Sequence, residues 1–165
     1  MQKIAPCLWF DKQAEEAAKF YTSIFKSSKT ASITYYGKEG HEIHGMPEGT
    51  VLTVEFELNG QTFTALNGGP VLKFNEAISL QVLCETQKEV DHYWEKLSEG
   101  GEKSQCGWLK DKYGLSWQVV PTVLNKMLKD KDSKKTERVM KALLQMKKLD
   151  IETLTQAFEG RSSNT

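Results

Sequence analysis

Apolar and polar positions alternate with a period of two in several short stretches of this chain, and stretches of helical period lie between them. Residues 3–10 (KIAPCLWF) predict a strand. In the segment after it, Ala14, Ala17, Ala18, Tyr21, Ile24 and Phe25 recur along one face of a helix. Asp11 is placed to cap that helix, and Glu15 and Glu16 fall in its first turn, where the macrodipole favours negative charge. Residues 31–36 predict a second strand, and GKEGHEIHGMPEG after it reads as a long polar loop. Residues 50–58 and 61–67 are two further strand patterns joined by Asn59-Gly60, a hairpin signal because both turn positions need positive φ.

The same order then returns. Residues 78–84 (ISLQVLC) alternate, and Thr86 and Glu89 form a capping box for a helix with Val90, Tyr93, Trp94 and Leu97 inward. Gly100 and Gly101 end it. In GWLKDKYGLSWQVVP (107–121) a turn at Lys112-Tyr113-Gly114 separates two apolar runs. The second places Leu115, Trp117 and Val119 on one side and Ser116, Gln118 and Val120 on the other. A shift of about 74 positions superposes Leu8 on Val82, Asp11 on Glu85, Gln13 on Gln87, Glu15 on Glu89 and Phe20 on Trp94, an internal duplication in register with the predicted elements. From residue 122 the composition turns to Lys-rich helix. Val139, Met140, Leu143 and Leu144 make one stripe, and Ile151, Leu154 and Phe158 another behind an Asp150 cap; GRSSNT reads as a frayed end.

Composition narrows the function classes. At 165 residues and 39% hydrophobic the chain can build a real core. Lys plus Arg and Asp plus Glu both number 22, so no net field draws it to nucleic acid or an anionic membrane, and Lys126 to Lys135 reads as a solvated linker. No run reaches the ~18 apolar residues of a membrane span, and Met1 leads into a strand pattern rather than a leader. The expectation is a cytoplasmic protein. Cys7, Cys84 and Cys106 form no CxxC pair and read as structural thiols.

Four stretches together carry a family resemblance: PCLWFDKQAEEAAKFYTSIF (6–25), LNGGP (66–70), FNEAISLQVLC (74–84) and QCGWLKDKYGLSWQVVP (105–121). The chain resembles the PhnB-like branch of the vicinal oxygen chelate superfamily, the glyoxalase, bleomycin-resistance and extradiol dioxygenase relatives, a branch also labelled 3-demethylubiquinone methyltransferase-like. The resemblance implies an α+β fold of two paired βαβββ modules, at about 1–70 and 74–121, forming an open cupped mixed sheet, with residues 122–165 as a C-terminal helical extension. It also implies a homodimer and, in many relatives, a divalent metal held by four side chains. The corresponding positions here are Pro6, Ala65 or Asn67, Ser79 and Gln118, which lack the imidazoles and carboxylates such an ion needs. No metal and no other cofactor is therefore expected.

The candidate site follows from strand parity inside that cup. Ser79, Gln81, Ser116 and Gln118 alternate with an apolar face and are expected to point into the hollow, converging with Asn67, while Leu8, Phe10 and Phe63 supply the walls and Trp9 faces the first helix. Buried amides need partners, so these either bond one another or await a ligand. The leading expectation is a small-molecule binder, with enzyme activity left open. The alternatives are a metal-dependent lyase, isomerase or dioxygenase using Gln118 with His41 and His44, and a structural or interaction protein. The glycines around His41 and His44 argue against a rigid metal-binding helix, His92 reads as a surface residue, and no motif beside Cys106 marks it as a nucleophile. Methyl transfer is not expected, because the first strand runs into Asp11-Lys12 without the glycine-rich turn of a doubly wound methyl-donor site.

Overall fold

The computed structural model describes residues 3–161, and most of the predicted frayed end lies outside them. The chain divides into two compact units, residues 1–74 and 75–165. The first runs β1 (Cys7–Phe10), α1 (Ala14–Ile24), β2 (Lys29–Tyr35), α2 (His41–His44), β3 (Val51–Leu58) and β4 (Gln61–Asn67). Its sheet has the order β1-β4-β3-β2, with β1 parallel to β4 and the other pairs antiparallel. Asn59 (φ 48°) and Gly60 (φ 83°) make the β3–β4 turn in the predicted left-handed conformation.

Alanines at 14, 17 and 18 are fully buried, which lets α1 lie close on one face of this sheet. Between them sits an aromatic stack: Tyr21 of α1 against Phe56 at 6.0 Å, and Phe56 against its cross-strand partner Phe63 at 5.3 Å. The cap of α1 differs from the expectation. Asp11 does not cap it, and its Oδ1 is buried without a partner. Instead Asn67, at the far end of β4, accepts the Ala14 N–H on Oδ1 at 2.8 Å and donates through Nδ2 to the Val51 carbonyl at 3.0 Å. A long-range amide thus replaces a local carboxylate.

The second unit repeats the plan with β5 (Ser79–Cys84), α3 (Gln87–Leu97), β6 (Glu102–Lys103), β7 (Trp108–Lys110) and β8 (Ser116–Pro121). Its sheet order is β5-β8-β7-β6, the topology of the first sheet, with β5 parallel to β8. The duplication inferred from sequence is therefore present in the strand connectivity. The Thr86–Glu89 capping box forms, and Val90, Tyr93, Trp94 and Leu97 are buried as predicted. The turn before β8 is built around Asp111, which is 3% exposed. Its Oδ1 accepts from the backbone of Tyr113 and Leu115, and its Oδ2 accepts from Trp117 Nε1 at 2.9 Å.

The C-terminal helices, α4 (Thr122–Leu128), α5 (Ser133–Leu143) and α6 (Ile151–Glu159), belong to this second unit. Val120 of β8 shares one buried cluster with Leu124, Met127, Val139, Leu143, Leu149 and Leu154. The Gln87 side chain ties α3 to the segment before α6, donating to Leu149 O and accepting from Ile151 N. Backbone bonds from Cys106 and Gly107 to Met146 and Lys147 complete the attachment. Asp150 caps α6 as expected, whereas Met140 and Leu144 of the predicted stripe stay 41% and 58% exposed.

Strand parity in the first unit is the reverse of the expectation. Phe63, Ala65 and Asn67 occupy the face of β4 under α1, and β1 pairs Leu8 with Ala65 and Phe10 with Asn67 in parallel register. Leu8 (7% exposed), Phe10 (3%), Phe63 (6%) and Asn67 (3%) are thus core and cap residues beneath the helix rather than cup walls. Trp9 takes the opposite face and donates from Nε1 to the Gly69 carbonyl at 2.9 Å. Its ring lies so close to Gly68 that a Cβ there would stand 2.2 Å from it. The physical reason is that CLWF is apolar on both faces, so alternation alone cannot orient it.

Candidate functional site

In the second unit the two faces of the sheet separate by residue type. α3 covers the face carrying Val82, Cys84, Leu109, Trp117 and Val119, all buried. The opposite face, left free of α3, carries Ser79 and Gln81 on β5, Ser116 and Gln118 on β8, and Trp108 and Lys110 on β7. The register pairs Ser79 with Ser116, Gln81 with Gln118, Trp108 with Gln118 and Lys110 with Ser116. This alignment of period two places six side chains with polar atoms on one surface.

Three of them form a hydrogen-bonded row. Gln118 Nε2 donates to Ser79 Oγ at 2.8 Å, and Gln81 Nε2 donates to Gln118 Oε1 at 3.4 Å. The donor inventory leaves the Ser79 hydroxyl proton and the Gln81 carbonyl oxygen available to a further partner. Ser116 differs: only 1% exposed, its Oγ is buried and has no hydrogen-bond partner. A buried hydroxyl without a partner is costly, and such groups are uncommon in folded proteins.

Beside Ser116 lies a cavity of about 260 Å³ walled by Glu76, Glu102, Trp108, Lys110 and Ser116. The Lys110 ammonium pairs with the Glu76 carboxylate there. That hydrogen bond holds Glu76 below the usual carboxylate range and raises Lys110 above the usual lysine value, with Glu102 adding a smaller push on Lys110. Both side chains are substantially exposed, so the pair adds little to stability and can exchange partners easily. Sequence reading missed Lys110, Glu76 and Trp108. The period of two through residues 108–110 would have found Trp108 and Lys110, but Glu76 reaches the site from a loop.

At the positions that hold the metal in the family's relatives, the donors here are neutral or spent elsewhere. Ser79 and Gln118 bond to one another through neutral groups, Asn67 is spent on α1, and Pro6 offers no side-chain donor. Among the described residues no group of three or more His, Cys, Asp or Glu is placed to hold an ion. These residues do not suit a divalent metal. The loop histidines do form the helical turn α2, between Gly40 (φ 80°) and Gly45 (φ 66°), with ring centroids 6.3 Å apart. His44 spends Nδ1 on the Met46 N–H and sets Nε2 against the Glu39 carbonyl, so the two imidazoles do not converge as a ligand pair. The three cysteines are free thiols, Cys84 fully buried and Cys7 exposed.

Two four-stranded mixed sheets, each with its helix on one face and a polar open face in the second, define an α+β protein of the glyoxalase-like class. The chain belongs to the PhnB-like family: the sequence profile described as 3-demethylubiquinone-9 3-methyltransferase matches residues 2–120. A PhnB protein from Bacillus cereus is 39% identical over 73% of this chain and all of its own, with a TM-score of 0.65. A protein from Pseudomonas aeruginosa shares the fold at 16% identity, over 73% of this chain and 98% of its own, with a TM-score of 0.60. So does the fosfomycin resistance protein FosX from Listeria monocytogenes, solved with Mn(II) and sulfate, at 15% identity, over 78% of this chain and 98% of its own, with a TM-score of 0.53. No protein of curated function matches the chain. No helix among the described residues is long and apolar enough to cross a membrane.

Proposed function

We propose that this protein binds a small organic molecule on the open face of its second unit, without the superfamily's metal, and that Gln118, Gln81 and Ser79 orient it, with Ser116 alongside. The observation that carries this reading is the Gln81–Gln118–Ser79 row, preorganised at 3.4 and 2.8 Å on a strand face that α3 leaves free. Fixed polar groups set beside apolar surface are the usual make-up of a small-molecule site. The reading includes a cytoplasmic homodimer without nucleic-acid partners, supported by the family resemblance and by exposed apolar side chains at Ile78 (66%) and Leu83 (55%) beside the β5 edge. Methyl transfer finds no support in the fold, since a family label is weak grounds for an activity.

Native mass spectrometry of protein freshly isolated from its host tests the reading directly. A co-purified small molecule that is lost in Gln118→Leu is the expected result. A thermal-shift metabolite screen extends it, because a ligand at 100 times its dissociation constant raises stability by about 2.7 kcal/mol. If every ligand found binds Gln118→Leu as well as the parent protein, the reading fails. A tight stoichiometric metal in purified protein would likewise overturn the metal-free part, and light scattering that gives a monomer mass would remove the dimer.

A further inference from the structure

The cavity at Ser116 carries more information than a generic ligand site, because its wall combines an unsatisfied hydroxyl with opposed charges. Ser116 Oγ is buried and unpaired at the wall of this cavity, and Lys110 stands directly across the β7–β8 ladder from it. Glu102 is the partner of Lys110 on the other side, across β6–β7, and Glu76 closes on Lys110 from the loop before β5. Lys103 also borders the cavity, but its ammonium is held by Glu95 at 2.7 Å. The charges facing the hollow are therefore one ammonium and two carboxylates.

We propose that this cavity takes the head group of a small zwitterion of the α-amino acid type, its carboxylate bound by Lys110 and the Ser116 hydroxyl and its ammonium by Glu76 and Glu102. A lone anion would meet two carboxylates here, and a lone cation could pair with Glu102 but would give the Ser116 hydroxyl no acceptor. A zwitterion exchanges the internal Lys110–Glu76 pair for two ligand pairs, so every charge keeps a partner. It also gives Ser116 an acceptor, which the protein alone does not. Trp108, on the same face of β7, flanks the hollow and offers an indole to the ligand's side chain. About 260 Å³ suits a molecule of this size better than a larger metabolite. This inference rests on the open-face reading above and adds the ligand class.

Titration of ¹⁵N-labelled full-length protein with L-phenylalanine, L-phenylalaninamide and 3-phenylpropionate separates the charges, read at the Trp108 indole N–H and as dissociation constants. L-Phenylalanine is expected to bind, with each singly charged analogue at least about tenfold weaker, the loss expected when a charge-assisted bond goes unmade. Ser116→Ala should weaken L-phenylalanine about five- to tenfold while raising the thermal midpoint, because it deletes a buried hydroxyl that has no partner in the free protein. Lys110→Met should abolish the preference for the zwitterion over the amide. Equal affinity for the three probes, no shift at Trp108, or unchanged binding by Ser116→Ala would each overturn the proposal. Should L-phenylalanine fail while a host-derived molecule still binds through Gln118, only the ligand class falls. Should neither bind, the open-face reading falls with it.

Discussion

Asn67 looks like a pocket residue in sequence, a lone amide in a strand, yet both ends of its side chain are consumed in holding α1 to β3. Asn67→Ala leaves the Ala14 N–H and the Val51 carbonyl without their partner, so it should destabilise the protein by about 2–3 kcal/mol in urea unfolding, with little effect on ligand affinity. The reverse pattern would return Asn67 to the binding site. Cys84 illustrates a different residue-scale effect: burial, helped by Glu89, pushes its thiol up to about 12 from the ordinary 9.0. Below pH 9 the thiol is protonated whether folded or unfolded, and no pH dependence arises from it. Between about pH 9 and 12 the unfolded chain releases its proton first, so stability falls as pH rises. Urea midpoints at about pH 8 and pH 10.5 should therefore converge more closely in Cys84→Ala than in the parent; an identical alkaline loss in both would contradict the assignment.

At the scale of elements, β8 depends on the turn that launches it. Asp111 binds two backbone N–H groups and the Trp117 indole from a site 3% exposed, which fixes where the alternation of β8 begins. Asp111→Asn can turn only one oxygen to these donors and sets an NH₂ against either the backbone pair or the indole; a loss of about 2–3 kcal/mol is expected. In a double-mutant cycle with Trp117→Phe, additive effects would refute the indole bond. Elements with one apolar face, such as α1 and α3, were legible from their spacing, and so were the hairpin at Asn59-Gly60 and the Thr86 capping box, because each signal is local. β1 was not: Cys7, Leu8, Trp9 and Phe10 are all compatible with burial, and only its pairing with β4 selects the side that meets the helix.

On the scale of the whole molecule, the C-terminal helices complete the second unit's core. Val120 of β8 joins their buried cluster, and Gln87 and the Asp91–Lys148 ion pair fasten the segment leading into α6 onto α3. A chain ending at residue 121 should expose this apolar surface, bind a hydrophobic dye and unfold at a clearly lower temperature. An unchanged midpoint would show the extension to be dispensable. Leu154→Ala, a milder test at a fully buried position, should cost about 2–5 kcal/mol through the cavity it opens.

By itself the sequence determined most of the elements, though not the turn α2, together with their duplicated order, the family and the polar face of the second sheet, because period, caps and turn residues act over a few neighbouring positions. It determined Ser79, Gln81 and Gln118 as a set for the same reason: each alternates with residues unmistakably apolar. Only the tertiary structure decided which side of β1 and β4 faces α1, that Asn67 replaces Asp11 as the cap, and that Glu76 meets Lys110 beside an unpaired Ser116. Those facts depend on contacts between residues tens of positions apart or between a strand and a loop, and no local pattern carries the register that brings them together.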